Sequence, residues 1–224
     1  MPIQNTVVRR ATDSVLSTNA VLRNTYFLLS LTLLFSAGMA GFAMAINAAP
    51  PNFMVLLVGM FGLSMLTTAL RNTGWGLVAI FAFTGFMGYT LGPMMNMYLT
   101  TFANGAQLII TALGATGIIF LGLSAYALTT QKDFSYMGGM LFVASMVAFM
   151  AGIGAMLFHM PILQLFVSGA FALISSGMIL FQTNQIIMGG ERNYIMATIS
   201  LYVSLFNLFV SLLQILSVFS GRRD

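Results

Sequence analysis

Seven long apolar runs, separated by short polar segments, dominate the chain. They cover residues 25–46, 52–70, 75–98, 105–129, 135–158, 162–187 and 194–219. Each run is long enough to cross a hydrocarbon core of ~30 Å as an α-helix. None shows the ~10-residue alternation of barrel strands, and only helices or closed barrels satisfy every backbone group in lipid. The pattern therefore predicts an all-α polytopic membrane protein, a bundle of seven transmembrane helices.

The run boundaries divide the chain into a polar N-terminal tail, 1–23, a seven-helix transmembrane domain, 24–219, and a short C-terminal tail, 220–224. The first run exceeds the 7–15-residue core of a cleavable signal peptide, so we expect an uncleaved span, although the alanines after it resemble a cleavage site. Because all the loops are short, successive helices are expected to be antiparallel neighbours.

Lys and Arg, which are enriched in cytoplasmic loops, predict the orientation. With the N-terminus inside, the cytoplasmic side holds Arg9, Arg10, Arg23, Arg71, Lys132 and Arg192, and the opposite side holds Arg222 and Arg223. Six cations against two favour a cytoplasmic N-terminus and a periplasmic C-terminus. A re-entrant late segment would instead bring the C-terminus to the cytoplasm, but the last run is long enough to span fully.

Composition excludes several classes of protein. Hydrophobic residues make up 59% of the chain and charged residues 5%, against about 25% charged in a soluble domain. The net charge of +4 does not indicate nucleic-acid binding, because the charges are scattered singly among loops. With no Cys, a single His and no Asp, Glu or Lys near the centre of a run, we expect no metal site, no cofactor and no enzyme activity.

Polar residues form a stripe on each of the last two runs. The seventh has Ser200, Ser204, Asn207, Ser211 and Gln214, and the sixth has Gln164, Ser168, Ser175 and Gln182. These spacings place each set on one helix face, and polar side chains in spans bond across helix interfaces. We therefore predict a polar seam between the two helices. It serves either to hold them together or as a pathway for ions or protons.

Glycines favour close packing of several spans. Gly85, Gly88 and Gly92 share one face of the third span, and the alternative for the Gly92-Pro93 pair is a flexible hinge. We expect tight packing also at the glycines of the fourth and fifth spans: Gly114, Gly117, Gly122, Gly138, Gly139, Gly152 and Gly154.

Four segments together resemble the transmembrane Bax inhibitor motif family. They are TGFMGYTLGP at 84–93, LRNTYFLLS at 22–30, GGERNY at 189–194 and SLYVSL at 200–205. The resemblance extends over nearly the whole chain from about residue 16. It implies a seven-helix fold in which the last helix is central and surrounded by the other six.

The resemblance also implies a function at the bacterial inner membrane. Similar bacterial members are associated with the membrane AAA protease FtsH and its companions HflK and HflC, as substrate and modulator. The tail, including Arg9, Arg10 and Asp13, is where FtsH would engage such a protein. Besides these proteins, the expected partner is the lipid bilayer, and no nucleic acid is expected to bind.

A second function is implied by other family members, which are pH-sensitive calcium leak channels with an acidic pair on the last two helices. The matching positions here are Gln182 and Ser204, which do not ionise at physiological pH. This departure favours the modulator over the channel.

Overall fold

The computed structural model describes residues 3–130 and 132–220, with side chains from residue 20 onward. The helices are α1 (Ile3–Ala45), α2 (Phe53–Leu70), α3 (Trp75–Thr101), α4 (Gly105–Thr129), α5 (Met137–Leu157), α6 (Pro161–Ile187) and α7 (Tyr194–Phe219).

Each of these seven helices contains a segment long and apolar enough to cross a membrane, which confirms the predicted fold class. Helices α2 to α7 begin and end within three residues of the predicted runs. Helix α1 begins much earlier, at Ile3, and only Ala20–Ala45 is apolar enough to span. The predictions about the two tails concern Arg9, Arg10, Asp13, Arg222 and Arg223, whose side chains lie outside the described part of the structure.

Helix α7 is the centre of the bundle, as predicted. It contacts α1, α2, α3, α4 and α6, whereas α5 contacts α6 alone, so five helices rather than six surround it. Leu201, Leu208 and Leu213 on α7 are fully buried. Because neighbours cover α7 on most sides, its apolar faces are enclosed together with its polar stripe. Gln214, a member of that stripe, is nevertheless exposed.

The expectation that successive helices are neighbours is wrong for two pairs. Among the described residues, α1 does not contact α2 and α4 does not contact α5. These pairs are joined by the seven-residue loops 46–52 and 130–136, which can extend over about 23 Å. Adjacent helix axes lie only ~8–10 Å apart, so loops of this length can pass a neighbouring helix.

Three helices end in a residue with a left-handed backbone. Asn47 after α1, His159 after α5 and Gly189 after α6 have φ angles of 48°, 51° and 73°. In each case the next N–H bonds to the carbonyl five residues earlier, as in Ala48 to Ala43 at 2.9 Å. This arrangement satisfies carbonyls that the helix end leaves free. The single His therefore belongs to a turn.

Three of the four glycines of α3, Gly85, Gly88 and Gly92, bring this helix close to α1, which confirms their predicted role. A Cβ at Gly85 would meet the Phe35 ring, and one at Gly88 would collide with the backbone carbonyl of Ser36. A Cβ at Gly92 would lie 2.5 Å from the Cβ of Ala43. At Gly88 and Gly92 the added Cβ meets backbone atoms of α1, so no larger residue fits there without separating the two helices, whereas at Gly85 the Phe35 ring would have to move.

The same prediction is wrong for most glycines of α4 and α5. A Cβ at Gly138 would meet the Phe181 ring at 2.8 Å, and one at Gly152 would make ordinary contact with Val167. The other five face open space, with no atom within 4 Å of the added Cβ: Gly114, Gly117, Gly122, Gly139 and Gly154.

Candidate functional site

The two polar stripes meet where α6 contacts α7. The Ser204 hydroxyl donates to Gln182 Oε1 at 3.2 Å and also lies 3.1 Å from the carbonyl of Ser200. Further along, the Ser168 hydroxyl donates to Gln214 Oε1 at 2.6 Å. The predicted contact between the stripes is therefore present at two points.

These two hydrogen bonds lie at different depths of the membrane. Ser204 is ten residues from the start of α7, and Gln214 is ten residues further on, so about 15 Å separates the two bonds along the helix axis. Between them Ser211 is buried and Asn207 is half-buried on α7. On α6, Ser175 is buried in the same interval.

The seam consists of amide and hydroxyl groups, which are neutral. Such groups hold two spans together, because each would otherwise lose its hydrogen-bond partner in hydrocarbon. Gln182 and Ser204, which the family resemblance matches to an acidic pair, are bonded to each other. Conduction through the seam stays a prediction.

A second polar cluster, absent from the sequence-based predictions, joins α7 to α3 and α1. The buried Tyr202 hydroxyl donates to the carbonyl of Thr84 at 3.2 Å and lies 2.6 Å from Ser36 Oγ. Because a tyrosine hydroxyl has one proton, Ser36 must be the donor in the second bond. A buried tyrosine requires such partners. The glycine at position 88 lets Ser36 come this close.

The predicted hinge lies within an uninterrupted α3. Pro93 has no N–H, so the carbonyl four residues earlier loses its helical partner. On either side of this break α3 is held to α1: Gly92 packs on Ala43, and Asn96 Nδ2 donates to the carbonyl of Met44 at 3.2 Å. Hinge motion at Gly92-Pro93 stays a prediction.

Two asparagines hydrogen-bond to the backbone of the loop segments 71–74 and 132–136, which together with the segment 188–193 we call the basic side. Asn193 accepts from the first N–H groups of α7, and its Nδ2 donates to the carbonyl of Arg71 at 3.1 Å. Asn184, fully buried, donates to the carbonyl of Lys132 at 2.9 Å and accepts from the N–H of Phe134 at 3.0 Å. An Asn before an apolar run, such as Asn193, predicts the start of a helix. The hydrogen bonds of Asn193 and Asn184 to other loops could not be predicted from the sequence.

The basic side presents charge in a fixed arrangement. Arg71, Lys132 and Arg192 are exposed. Hydrogen bonds from the side chain and backbone of Ser135 lower the pKa of Asp133, which therefore stays ionised beside Lys132. Ordered loops with exposed charges can contact another protein at the membrane surface.

Comparisons with known proteins cover the whole bundle. A family model described as inhibitor of apoptosis-promoting Bax1 matches residues 18–221. An Escherichia coli K12 protein named modulator of FtsH protease YccA is 51% identical over 93% of this chain and 94% of its own. An uncharacterized protein of Pseudomonas aeruginosa is 53% identical over 91% of both chains. An uncharacterized membrane protein of Vibrio cholerae is 44% identical over 94% of both.

Proposed function

The chain belongs to the family described as inhibitor of apoptosis-promoting Bax1, as its sequence motifs predicted, and on that premise we propose that it binds and modulates the membrane AAA protease FtsH. The observation that carries this proposal is the 51% identity, over nearly the full length of both chains, to a protein named for that role. Another E. coli relative of equal identity is named inner membrane protein YccA. The proposed location is a bacterial inner membrane. The proposed orientation, a cytoplasmic N-terminus and a periplasmic C-terminus, rests on the distribution of Lys and Arg. We propose further that the chain has no enzyme activity of its own.

The contacts of α1 suggest how a protease that pulls on the N-terminus would be slowed. Extraction from this end must first separate α1 from α3, α6 and α7, which it contacts. Glycines such as Gly88 let α1 and α3 pack closely, and the Ser36–Tyr202 hydrogen bond joins α1 to α7. Spans held by close backbone packing and interhelical hydrogen bonds resist separation. In this mechanism a slowly extracted substrate occupies the protease and so reduces degradation of other proteins.

The tail is the proposed handle. Residues 1–23 are polar and contain Arg9, Arg10 and Asp13, and their sequence has no apolar periodicity that would bury them. An ATP-driven unfoldase needs a polar terminal segment that it can grip. The loops of the basic side are too short, and too firmly hydrogen-bonded to the bundle, to be gripped in this way. HflK and HflC, the companions of the protease that the family resemblance implies, would belong to the same complex.

Deleting the first ten residues tests the handle. We expect a longer half-life of the truncated protein in cells that contain the protease, with membrane insertion unchanged. Because it still associates through its spans, it should also slow degradation of a second membrane substrate. Gly88→Ala serves as the opposite variant, since loosening α1 should shorten the half-life. Equal turnover of truncated and full-length chains would refute the tail as the handle.

Co-purification from native membranes in mild detergent tests the partners independently of the handle. FtsH, HflK and HflC should be recovered with the full-length protein. Their absence from the purified material, with the bundle intact, would contradict the proposed complex even if the truncation altered turnover.

A calcium or cation leak is the second candidate, and the observation in its favour is the polar seam between α6 and α7, with hydrogen bonds at Ser204 and at Ser168. Neither Gln182 nor Ser204 titrates at physiological pH, so a leak through this seam would lack the acidic switch of its relatives. Ion flux into liposomes containing the purified protein tests it. Flux that is abolished by Ser204→Val would establish conduction through the seam.

A further inference from the structure

A deep apolar groove opens between α1 and α4. Its volume is about 600 Å³, and its walls come from α1, α3, α4 and α7. Among the described residues the backbones of α1 and α4 do not come close to each other. The two helices touch where the rings of Tyr26 and Phe120 pack with centroids 5.8 Å apart, at one end of the groove, and the rest of this side of the bundle is open. Leu33, Ile110 and Leu113 on its rim are exposed. Because the helices span the membrane, the opening faces acyl chains of the bilayer.

The chemistry of the groove excludes water. Its lining is apolar apart from the hydroxyls of Ser36, Thr116 and Tyr202. Ser36 and Tyr202 bond to each other, and Thr116 donates to the carbonyl of Ala112 at 2.7 Å. Water enters a buried site only where it finds two or more free polar partners. With its hydroxyls already paired, the groove favours an apolar occupant.

Length and volume distinguish the possible apolar occupants. The α4 wall extends from Ala106 to Phe120, about 21 Å along the axis, slightly more than one leaflet of a hydrocarbon core of ~30 Å. An acyl chain ~4 Å thick and of that length fills roughly 250 Å³. A helix with side chains, at least ~10 Å across, fills roughly 1,600 Å³ over the same length. The groove thus has room for one or two acyl chains, whereas a transmembrane helix could insert only part of its width.

We propose that this groove is a lipid site, which holds the acyl chains of one phospholipid from the leaflet next to the α1–α2 and α3–α4 loops. The chains enter between α1 and α4 and reach the groove floor on α7, formed by Leu205 and Phe209. Both floor residues are only 5% exposed, so lipid reaches them only through the groove.

Photolabelling tests the site in the full-length protein. The protein is reconstituted in phosphatidylethanolamine–phosphatidylglycerol vesicles with a trace of phosphatidylethanolamine bearing a diazirine near the end of one acyl chain. After illumination, adducts are mapped by peptide mass spectrometry. We expect adducts on Leu205 and Phe209 as well as on Ile118, which is 74% exposed to the bilayer. Adducts on Ile118 without any on the floor would overturn the proposal.

Two matched pairs of variants separate the groove from general lipid contact. Gly41 and Gly117 line the groove, whereas Gly38 and Gly114 on the same helices do not. A Cβ at any of the four meets no atom within 4 Å, so leucine can be introduced without a clash at the Cβ. Gly41→Leu with Gly117→Leu should reduce the floor adducts to background and leave the external ones unchanged. Gly38→Leu with Gly114→Leu should preserve both.

Equal floor labelling in the two double variants would refute acyl-chain entry through the groove. A photoreactive amino acid at Leu205 in native membranes addresses the other occupant. Capture of another protein at this position, with no lipid adduct, would assign the groove to a partner and overturn the lipid site.

Discussion

Replacing Gly88 by Ala should loosen the bundle more than any other single methyl group added to α3. The new Cβ would collide with the Ser36 carbonyl, part of the α1 backbone that cannot rotate away. The helices must therefore separate by up to about 1 Å. Each pair of atoms in contact contributes ~0.1–0.2 kcal/mol of dispersion energy, and such a gap loses a quarter to a half of it. Over some tens of atom pairs this costs roughly 1–2 kcal/mol. Weakening the Ser36–Tyr202 hydrogen bond of 2.6 Å adds about 0.6 kcal/mol.

The expected loss of 1–3 kcal/mol, typical of overpacking, is measurable as a lower midpoint of unfolding in a denaturing-detergent titration. Gly114→Ala is the matched control, because its Cβ meets no atom within 4 Å and the gain in helix propensity is the same. We expect the control to be neutral or stabilising, by up to about 1 kcal/mol. If Gly88→Ala were as stable as Gly114→Ala, the α1–α3 contact would not be as close as described.

Two further predictions concern topology and the seam. Single Cys residues at Lys132 and Asn104 should react with an impermeant thiol reagent from opposite sides of the membrane, and reaction from one side would contradict the alternating spans. Asn207→Leu should cost at most about 0.6 kcal/mol of folding free energy, the average for an intramembrane hydrogen bond, because Asn207 is only half-buried. Leu208→Asp, at a fully buried position, should cost roughly 2.5–3.5 kcal/mol. The same detergent titration measures both, and equal losses would refute the buried position of Leu208.

The position of each span could be predicted from the sequence, because hydrocarbon requires a continuous apolar run whatever the helix contacts. The start of α1 could not, since its polar first turns lie outside any apolar run. Central placement of α7 came from the family resemblance. Its polar stripe alone was insufficient, because Leu208 and Leu213 are as deeply buried as any polar member of it.

Sequence patterns predicted the contact of α6 with α7 but not which helix the glycine faces meet. Gly85 and Gly88 on α3 are three residues apart, as are Gly114 and Gly117 on α4. The first pair lies against α1, whereas the second faces open space. A spacing of three or four residues defines a face of a helix but does not identify what the face meets. In a soluble bundle an exposed apolar face would be penalised by water, whereas in lipid both environments are apolar.

The same ambiguity explains why the groove and the Tyr202 cluster were missed while the α6–α7 seam was found. Polar residues repeated along one helix can be seen in the sequence because each must avoid hydrocarbon. Tyr202 and Ser36 are isolated hydroxyls on separate helices, and only their three-dimensional proximity pairs them at 2.6 Å. Their hydrogen bond ties α1 to α7, and α1 also packs closely on α3, whereas its side towards α4 is mostly open beyond the contact of Tyr26 with Phe120. A protease that pulls on the N-terminus must therefore break the contacts of α1 with α3 and α7. An occupant of the groove instead contacts α1 on the side that faces α4. Gly117→Leu, whose Cβ meets no atom within 4 Å, should accordingly reduce lipid labelling of the floor without altering turnover.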